Sequence, residues 1–326
     1  MNKKKKIIII VSSVLVFCIG LSLSIGLTWH MLDLKDTEEL YRSNVAKVGY
    51  ENTIETAIPQ TALYELVKNH YSSPLAEGKS VKKAIIIGYD GCRADVLTER
   101  ESSNSAIGEV LNMGGSINLS YCGGVNYPEK NVQDTSTAPG WCSILTGQWA
   151  TVHGITGNDI SKSMETKTLL TSLVEDKVID SSTFITKWAG HFSRKNATYL
   201  LEKEYCENNN LNVAFNKCKN NAKSLETTLG EIGKSDCADF IFVIYEQTDA
   251  EGHSYGFTIN NPNYKKAFKE ADKYGYDTIN AIKSRPTYQS EDWLIIITSD
   301  HGGINIEHGK ESIQERMTFI VTNADM

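Results

Sequence analysis

Asp300 and His301 stand side by side at the end of an apolar run, WLIIITSDHGG from Trp293 to Gly303. An oxygen donor beside a nitrogen donor at one point can ligate a single metal ion. Read alone, the segment is equally a strand end followed by a glycine turn, with Asp300 capping the next helix. The pairing recurs, however. Asp249 and His253 lie four residues apart in TDAEGHSYG, and His308 follows in EHGKE. Asp90 ends a third apolar run, KKAIIIGYDGCRAD. Three Asp and three His result, enough for two divalent ions if one more oxygen ligand exists. The imidazole–carboxylate mixture suits Zn²⁺ better than Mg²⁺, which prefers oxygen and water. Each residue alone has an ordinary structural reading as a cap or an ion-pair partner; the recurrence at three strand ends favours metal.

The missing oxygen is offered by Thr137 in TSTAPGWCSILTGQWATVHGITGN, Thr135 to Asn158. Pro139 is at home in a first helical turn. A hydroxyl at that point meets free backbone N–H groups and the positive end of the helix dipole, which favour an anion. Metal coordination there would turn a weak nucleophile into a strong one. A plain helix N-cap also accounts for Thr137 taken singly.

Such residues need a scaffold that brings strand ends together. The runs Ala84 to Gly88, Asp239 to Tyr245 and Trp293 to Thr298 are continuously apolar, as strands covered on both faces are. Ser182 to Trp188 and Thr318 to Val321 read as further strands. Helical patterns fall at Thr61 to His70, Gly140 to Gly147, Leu169 to Glu175, Ala222 to Ile232 and Tyr264 to Arg285. Alternation of strand and helix predicts an α/β fold with a mainly parallel central sheet and helices on both faces. Ligand sites in such sheets lie at the carboxyl ends of the strands.

Composition narrows the class. The chain has 326 residues and a formal net charge of −7, although Lys3 to Lys6 add four positive charges before any folded region. The acidic remainder argues against a nucleic-acid groove. Ile7 to Trp29 is a run of 23 residues with no charged side chain, long enough to cross a bilayer core of roughly 30 Å. With the lysines before it, the expected layout is a cytoplasmic basic tail (1–6), a transmembrane signal anchor (7–29), a juxtamembrane stalk or helical lead-in (30–80) and an extracellular domain (81–326). A signal peptide cut near Ser22 or Ser24 is the alternative and would leave the domain secreted; Phe17 argues against a lipoprotein at Cys18. Six cysteines follow the apolar segment. Cys206 and Cys218 flank an Asn-rich stretch that reads as a loop, across which a disulfide is expected, with free buried thiols as the alternative.

With these motifs in order, the sequence resembles the alkaline phosphatase superfamily, and most of all its type I phosphodiesterase/nucleotide pyrophosphatase branch. The motifs are YDGCRAD (89–95), TAPGWCSILTG (137–147), HGITGN (153–158), TDAEGHSYG (248–256), SDHGG (299–303) and HG (308–309). The resemblance implies an alkaline-phosphatase-like fold and two zinc ions acting on a small phosphate-ester substrate. Asp90, Asp300, His301 and the Thr137 oxygen would hold one ion, and Asp249, His253 and His308 the other. Thr137 would attack phosphorus, Asn158 would donate to a non-bridging oxygen, and water would then hydrolyse the phospho-enzyme from the opposite side. It also implies a structural role for His153 and a carboxylate partner for Arg93. Sulfatases of the superfamily carry C/S-x-P-S-R where this chain has Thr137 and Gly140-Trp141, which disfavours sulfate esters. The diesterase branch usually reads T-F-P-N, so Ala138 and Gly140 leave nucleotide selectivity open. A phosphomonoesterase or head-group transferase would use the same residues. A non-catalytic binder is disfavoured because every ligand position is filled.

Overall fold

The computed structural model describes residues 36–49, 56–123, 133–158 and 163–326. The basic tail and the apolar segment at 7–29 lie outside the described residues. Among those described, no helix is long and apolar enough to cross a membrane.

The strands are β1 Ile58–Pro59, β2 Val81–Tyr89, β3 Ser116–Tyr121, β4 Ser182–Thr186, β5 Val213–Lys217, β6 Phe240–Tyr245, β7 Glu291–Thr298 and β8 Met317–Thr322. The helices are α1 Glu38–Lys47, α2 Ala62–Ser72, α3 Ala106–Asn112, α4 Thr137–Thr146, α5 Ala150–His153, α6 Leu169–Glu175, α7 Leu200–Asn208, α8 Asn221–Ile232, α9 Gln247–Tyr255, α10 Pro262–Lys283 and α11 Ile313–Arg316. One sheet runs in the order β1-β3-β8-β7-β2-β6-β4-β5. All pairings are parallel except those of β8, which is antiparallel to both β3 and β7.

The apolar runs have their physical reason in this layering. Alternate side chains of a strand point to opposite faces. Ile85, Ile87, Ile241, Val243, Ile295 and Ile297 pack with Phe268, Ile279 and Ile282 of α10 on one face. Ile86, Phe242, Ile244, Leu294 and Ile296 pack with Trp141 of α4, Leu63 and Val67 of α2 and Leu170 of α6 on the other. Burying one such side chain contributes roughly 1.5–3 kcal/mol, so a strand covered on both faces has no position to spare for a polar residue. The carboxylates are confined to its tip. In register, Ile85 stands beside both Ile241 and Ile295. The β7-β2-β6 core therefore brings the ends that carry Asp300, Asp90 and Asp249 to adjacent strands, about 4.8 Å apart.

Several elements differ from expectation. The described part of the lead-in packs onto the body: Tyr41 and Val45 of α1 and Leu63 and Val67 of α2 are fully buried. Cys206 and Cys218 are not bonded; both are buried free thiols. The stretch between them carries the edge strand β5. The Cys206 sulfur meets Thr171 Oγ1 at 3.2 Å, whereas Cys218 meets Thr227 Oγ1 at 3.5 Å. Asp300 caps no helix, since residues 301–312 form an irregular return. Asp249 and His253 lie one turn apart on helix α9, for which the sequence showed no helical pattern.

Candidate active site

Thr137 is the first residue of α4, and Ser136 before it adopts the extended N-cap conformation without a side-chain cap bond. Asn158 supplies the missing acceptor: its Oδ1 takes the Ala138 N–H at 2.8 Å. Asn158 and Thr137 line the same cavity. Thr137 Oγ1 lies 3.4 Å from Asp90 Oδ1 and 3.4 Å from His301 Nε2.

The eight residues expected from the sequence converge on this point. His301 Nε2 is 3.6 Å from Asp90 Oδ1 and 3.5 Å from Asp300 Oδ2. His253 Nε2 is 3.0 Å from His308 Nε2 and 3.5 Å from Asp249 Oδ1, which is 3.6 Å from His308 Nε2. Each imidazole is held through its other nitrogen. Nδ1 of His253, His301 and His308 faces the carbonyl of Ile306 (2.8 Å), Gly302 (2.6 Å) and Thr135 (3.0 Å). A carbonyl can only accept, so Nδ1 carries the proton and Nε2 presents its lone pair inward. Trp141 Nε1 donates to Asp90 Oδ2 at 3.1 Å, and the Gly91 N–H donates to Asp300 Oδ1 at 3.2 Å. Gly91 has φ +64°, and a Cβ there would lie 2.8 Å from Asp249 Cβ; the turn after β2 closes on α9 only with glycine.

These residues fit divalent cations. Asp249 Oδ1 and Asp300 Oδ2 are buried without a hydrogen-bond partner, a costly arrangement for charged oxygen. A tetrahedral ion with ligand bonds of about 2.0–2.1 Å holds its donors about 3.3 Å apart, close to the separations observed. Asp249, His253 and His308 form one set with donor atoms within 4.8 Å, and Asp90, Asp249 and His301 form another. Asp249 thus touches both sets, while Asp300 adjoins the second through His301. Burial, then repulsion from Asp300 and Asp249, pushes the Asp90 carboxyl well above its usual range. Burial likewise raises Asp300 and raises Asp249 to about 6. Burial drives His301 well down and His308 to about 4. His301 and His308 are therefore held neutral, and burial of three carboxyls at one point suits a compensating positive charge.

The site opens into a cavity of about 300 Å³ that Lys187, Trp188 and Glu246 also line. Sequence reasoning missed these three, although β4 ends at the same edge of the sheet. Glu246 Oε1 accepts from Thr186 Oγ1 (2.9 Å) and the N–H groups of Lys187 (2.9 Å) and Trp188 (2.6 Å), which fixes the turn after β4. The Lys187 ammonium is 3.4 Å from Glu246 Oε2. Cavities of about 340 and 510 Å³ elsewhere lack any such ligand set. His153 is buried and bonded to Ser143 Oγ at 3.2 Å, and the Arg93 guanidinium pairs with Asp95 (2.8 Å) and Asp36 (2.7 Å).

Behind Trp188, the His191 ring is fully buried with neither nitrogen bonded. Burial alone lowers it to about 3. Below about pH 6.5 the unfolded chain takes up a proton that the folded chain refuses, so stability falls as pH falls from about 6.5 toward 3. His191→Phe should remove this sensitivity. Urea melts at pH 6.5 and 5 should show the variant losing roughly 2 kcal/mol less than the parent. Equal losses would mean that His191 is solvated.

The family model described as Type I phosphodiesterase / nucleotide pyrophosphatase matches residues 84–319. Bis(5'-adenosyl)-triphosphatase enpp4 of Xenopus laevis is 26% identical over 236 residues, covering 68% of this chain and 47% of that protein. Its Homo sapiens counterpart is 25% identical over 233 residues, with 68% and 47% covered. The chain thus spans about half the length of the curated relatives it matches. Among solved structures, murine ectonucleotide pyrophosphatase / phosphodiesterase 5 matches with a TM-score of 0.46 at 17% identity, covering 68% of this chain and 57% of that one. Alkaline phosphatase from the Antarctic bacterium TAB5 matches with a TM-score of 0.43 at 11% identity, covering 74% and 91%. From a family match that takes in Thr137 and all the clustered carboxylates and histidines, the chain belongs to the type I phosphodiesterase / nucleotide pyrophosphatase family.

Proposed function

We propose that this chain is a two-zinc phosphodiesterase or pyrophosphatase, anchored at the outer face of a membrane and working through a covalent phospho-threonine. One observation carries the reading. The Thr137 hydroxyl is buried at a helix amino terminus, 3.4 Å from a carboxylate and an imidazole, with a second ligand set in the same cavity. Asp90, Asp300, His301 and Thr137 would hold one ion, and Asp249, His253 and His308 the other, with the Asp249 carboxylate within reach of both. When bound, the two ions supply Lewis acidity that favours ionisation of the entering oxygen and stabilises the leaving one. Three imidazoles and short donor separations favour Zn²⁺.

The side chains do the rest. The α4 amino terminus favours negative charge at Thr137 Oγ1. A Thr137 Oγ–P bond forms as the bond from phosphorus to the leaving alkoxide or phosphate breaks. The Asn158 amide, pinned by Ala138, donates to a non-bridging oxygen, a bond that strengthens as charge gathers there. Water then displaces the threonine oxygen and releases the phosphate monoester. Lys187 brings positive charge to the same cavity. The relatives named for a dinucleoside triphosphate support a small phosphate ester or anhydride as substrate. The apolar run Ile7 to Trp29 behind Lys3 to Lys6 supports an anchor with the domain outside.

The test is a rate comparison of the full chain in detergent on bis-aryl phosphate, aryl phosphate and aryl sulfate. The diester should be preferred by roughly tenfold or more in kcat/KM. A chelator should abolish turnover and Zn²⁺ restore it. Preference for the monoester would favour a phosphomonoesterase, and a fully metal-loaded protein inert on all three would favour a binding role.

A further inference from the structure

Arg93 joins three parts of the chain behind the site. Its side chain is fully buried, and every N–H of its guanidinium is bonded. Nε and Nη2 donate to the two oxygens of Asp95, at 3.0 and 2.8 Å. Nη1 and Nη2 donate to the two oxygens of Asp36, at 2.7 and 3.0 Å. The remaining Nη1 N–H goes to the Phe257 carbonyl. Asp95 is a close neighbour in sequence, but Asp36 stands 57 residues before Arg93. It precedes Thr37, the N-cap of α1. That helix docks through Tyr41 and Val45, which pack with Ala94, Leu119, Ile313 and Met317. Apolar side chains therefore seat α1, and Asp36 separately brings a buried charge to Arg93.

The carbonyl that Arg93 holds belongs to a residue wedged among the ligands. The Phe257 ring lies edge-on to His253 and His308, with centroids 5.2 and 5.9 Å apart. It fills space that two glycines leave: a Cβ would come within 2.3 Å of the ring at Gly252 and 2.4 Å at Gly303. The Phe257 N–H donates to the Asn305 carbonyl at 2.6 Å, and the next carbonyl along, that of Ile306, holds His253 Nδ1. Phe257 is thus pinned at its N–H by the return after β7 and at its C=O by Arg93. In a close-packed interior a shifted ring displaces what it touches, here two imidazoles. The Asp36 side chain is only 6% exposed. Losing its charge would leave guanidinium N–H groups buried without acceptors, a costly arrangement that the guanidinium relieves by turning away from Phe257.

We infer that Asp36 is a positioning residue for the ion held by Asp249, His253 and His308, acting through Arg93 and Phe257. This rests on the two-ion reading above and adds a side chain of the helical lead-in to the site. The ion held by Asp90, Asp300 and His301 is insulated from it. Arg93 meets that side through its stem, whose Cγ packs on Gly302, and the stem keeps its place whatever the guanidinium bonds.

The experiment measures both Zn²⁺ dissociation constants of the full chain in detergent, by competition with a chelating dye, beside the melting temperature of the metal-free protein. Asp36→Asn keeps the shape but sets an NH₂ against a guanidinium N–H. It should weaken one ion by roughly tenfold or more, as loss of an outer partner of a metal ligand does, and leave the other alone. In a His253→Ala background, which keeps only the Asp90/Asp300/His301 ion, Asp36→Asn should change nothing. Asp36→Glu returns the carboxylate and should recover most of the loss. Val45→Ala is the control for docking alone. It opens a cavity under α1, so it should lower the melting temperature and leave both constants unchanged. Phe257→Leu tests the route with the ion pair intact and should weaken the same ion, even where Asp36→Asn does not fold. Unchanged constants in Asp36→Asn or in Phe257→Leu would overturn the inference. So would equal weakening of both ions, or a loss of affinity in Val45→Ala as large as that in Asp36→Asn. A parent that binds fewer than two ions would instead remove the two-ion reading, and this inference with it.

Discussion

Thr137→Ala loses turnover of a bis-aryl phosphate by roughly 10³-fold or more while metal content stays near that of the parent. The size follows from what a covalent nucleophile supplies: deleting one in a comparable acyl-transfer site costs about 10⁶ in kcat, with residual rate from binding and electrostatics alone. Metal survives because the three carboxylates and three imidazoles keep their places. Their shorter bonds go to the carbonyls of Ile306, Gly302 and Thr135, the Gly91 N–H and the Trp141 indole, and the Thr137 hydroxyl adds only two 3.4 Å contacts, to Asp90 and His301. The α4 helix also survives, because Asn158 Oδ1 rather than Thr137 takes the free N–H at its start. Thr137→Ser, which returns the hydroxyl, should recover turnover to within about tenfold of the parent. Acid quenching during turnover should trap phosphothreonine in the parent, phosphoserine in the Ser variant and neither in the Ala variant. Full activity in Thr137→Ala would mean direct attack by water and would sink the nucleophile assignment.

The parts of this molecule that were legible in its sequence are those where one physical demand acts alone. Strands β2, β6 and β7 are covered on both faces, so their apolar runs announce them, and the polar residue that ends each run marks the edge where the site is built. Helix α10, with Phe268, Ile279 and Ile282 turned to the core, carries a clear apolar stripe. Helix α9 does not. Its sequence QTDAEGHSY has no stripe, and Gly252 weakens it. Tertiary packing makes it helical: a Cβ on Gly252 would come within 2.3 Å of the Phe257 ring, so the glycine that lowers propensity is what admits the ring against His253. The spacing of Asp249 and His253 predicts that the two side chains meet with or without the helix, because i and i+4 share a face in a helix and stay near in a turn; they lie 3.5 Å apart. Edge strand β5 was read as a loop because VAFNK is short and half exposed. Lys187, Trp188 and Glu246 were invisible for another reason. Each is a common residue after a strand, and only the neighbouring positions of β4 and β6 in the sheet bring them to the cavity. The disulfide failed because a reading of cysteine spacing cannot say that Cys218 packs into the core on one face while Cys206 bonds Thr171 of α6, which packs on the other.

Asp249→Ala should strip both ions, whereas His253→Ala should strip only one. The family pattern gives Asp249 to a single ion, but its carboxylate belongs to both donor sets, and its buried Oδ1 accepts no hydrogen bond. Elemental analysis after dialysis should find close to no metal in Asp249→Ala and about one ion per chain in His253→Ala, against about two in the parent. Turnover should fall by roughly 10³-fold or more in the first, since an in-line displacement needs both ends of its clamp. Equal metal loss in the two variants would assign Asp249 to one ion only. The metal-free proteins provide an opposite sign. With metal removed, Asp249 titrates near 6 in the folded chain against about 3.9 when unfolded. A raised carboxyl helps the folded state below about pH 4, and that help is lost as pH rises toward 6. Above pH 6 the ionised Asp249 also repels Asp90 and Asp300, both of which it pushes upward. Asp249→Asn keeps the shape and drops the charge, so the metal-free Asn variant should melt higher than the metal-free parent at pH 7, by up to about 3 kcal/mol. With Zn²⁺ present the order should reverse, because the parent alone gains the free energy of binding both ions. A residue that destabilises the empty fold and stabilises the loaded one is placed for metal rather than for packing, and only the crossing of the two melting orders separates those roles.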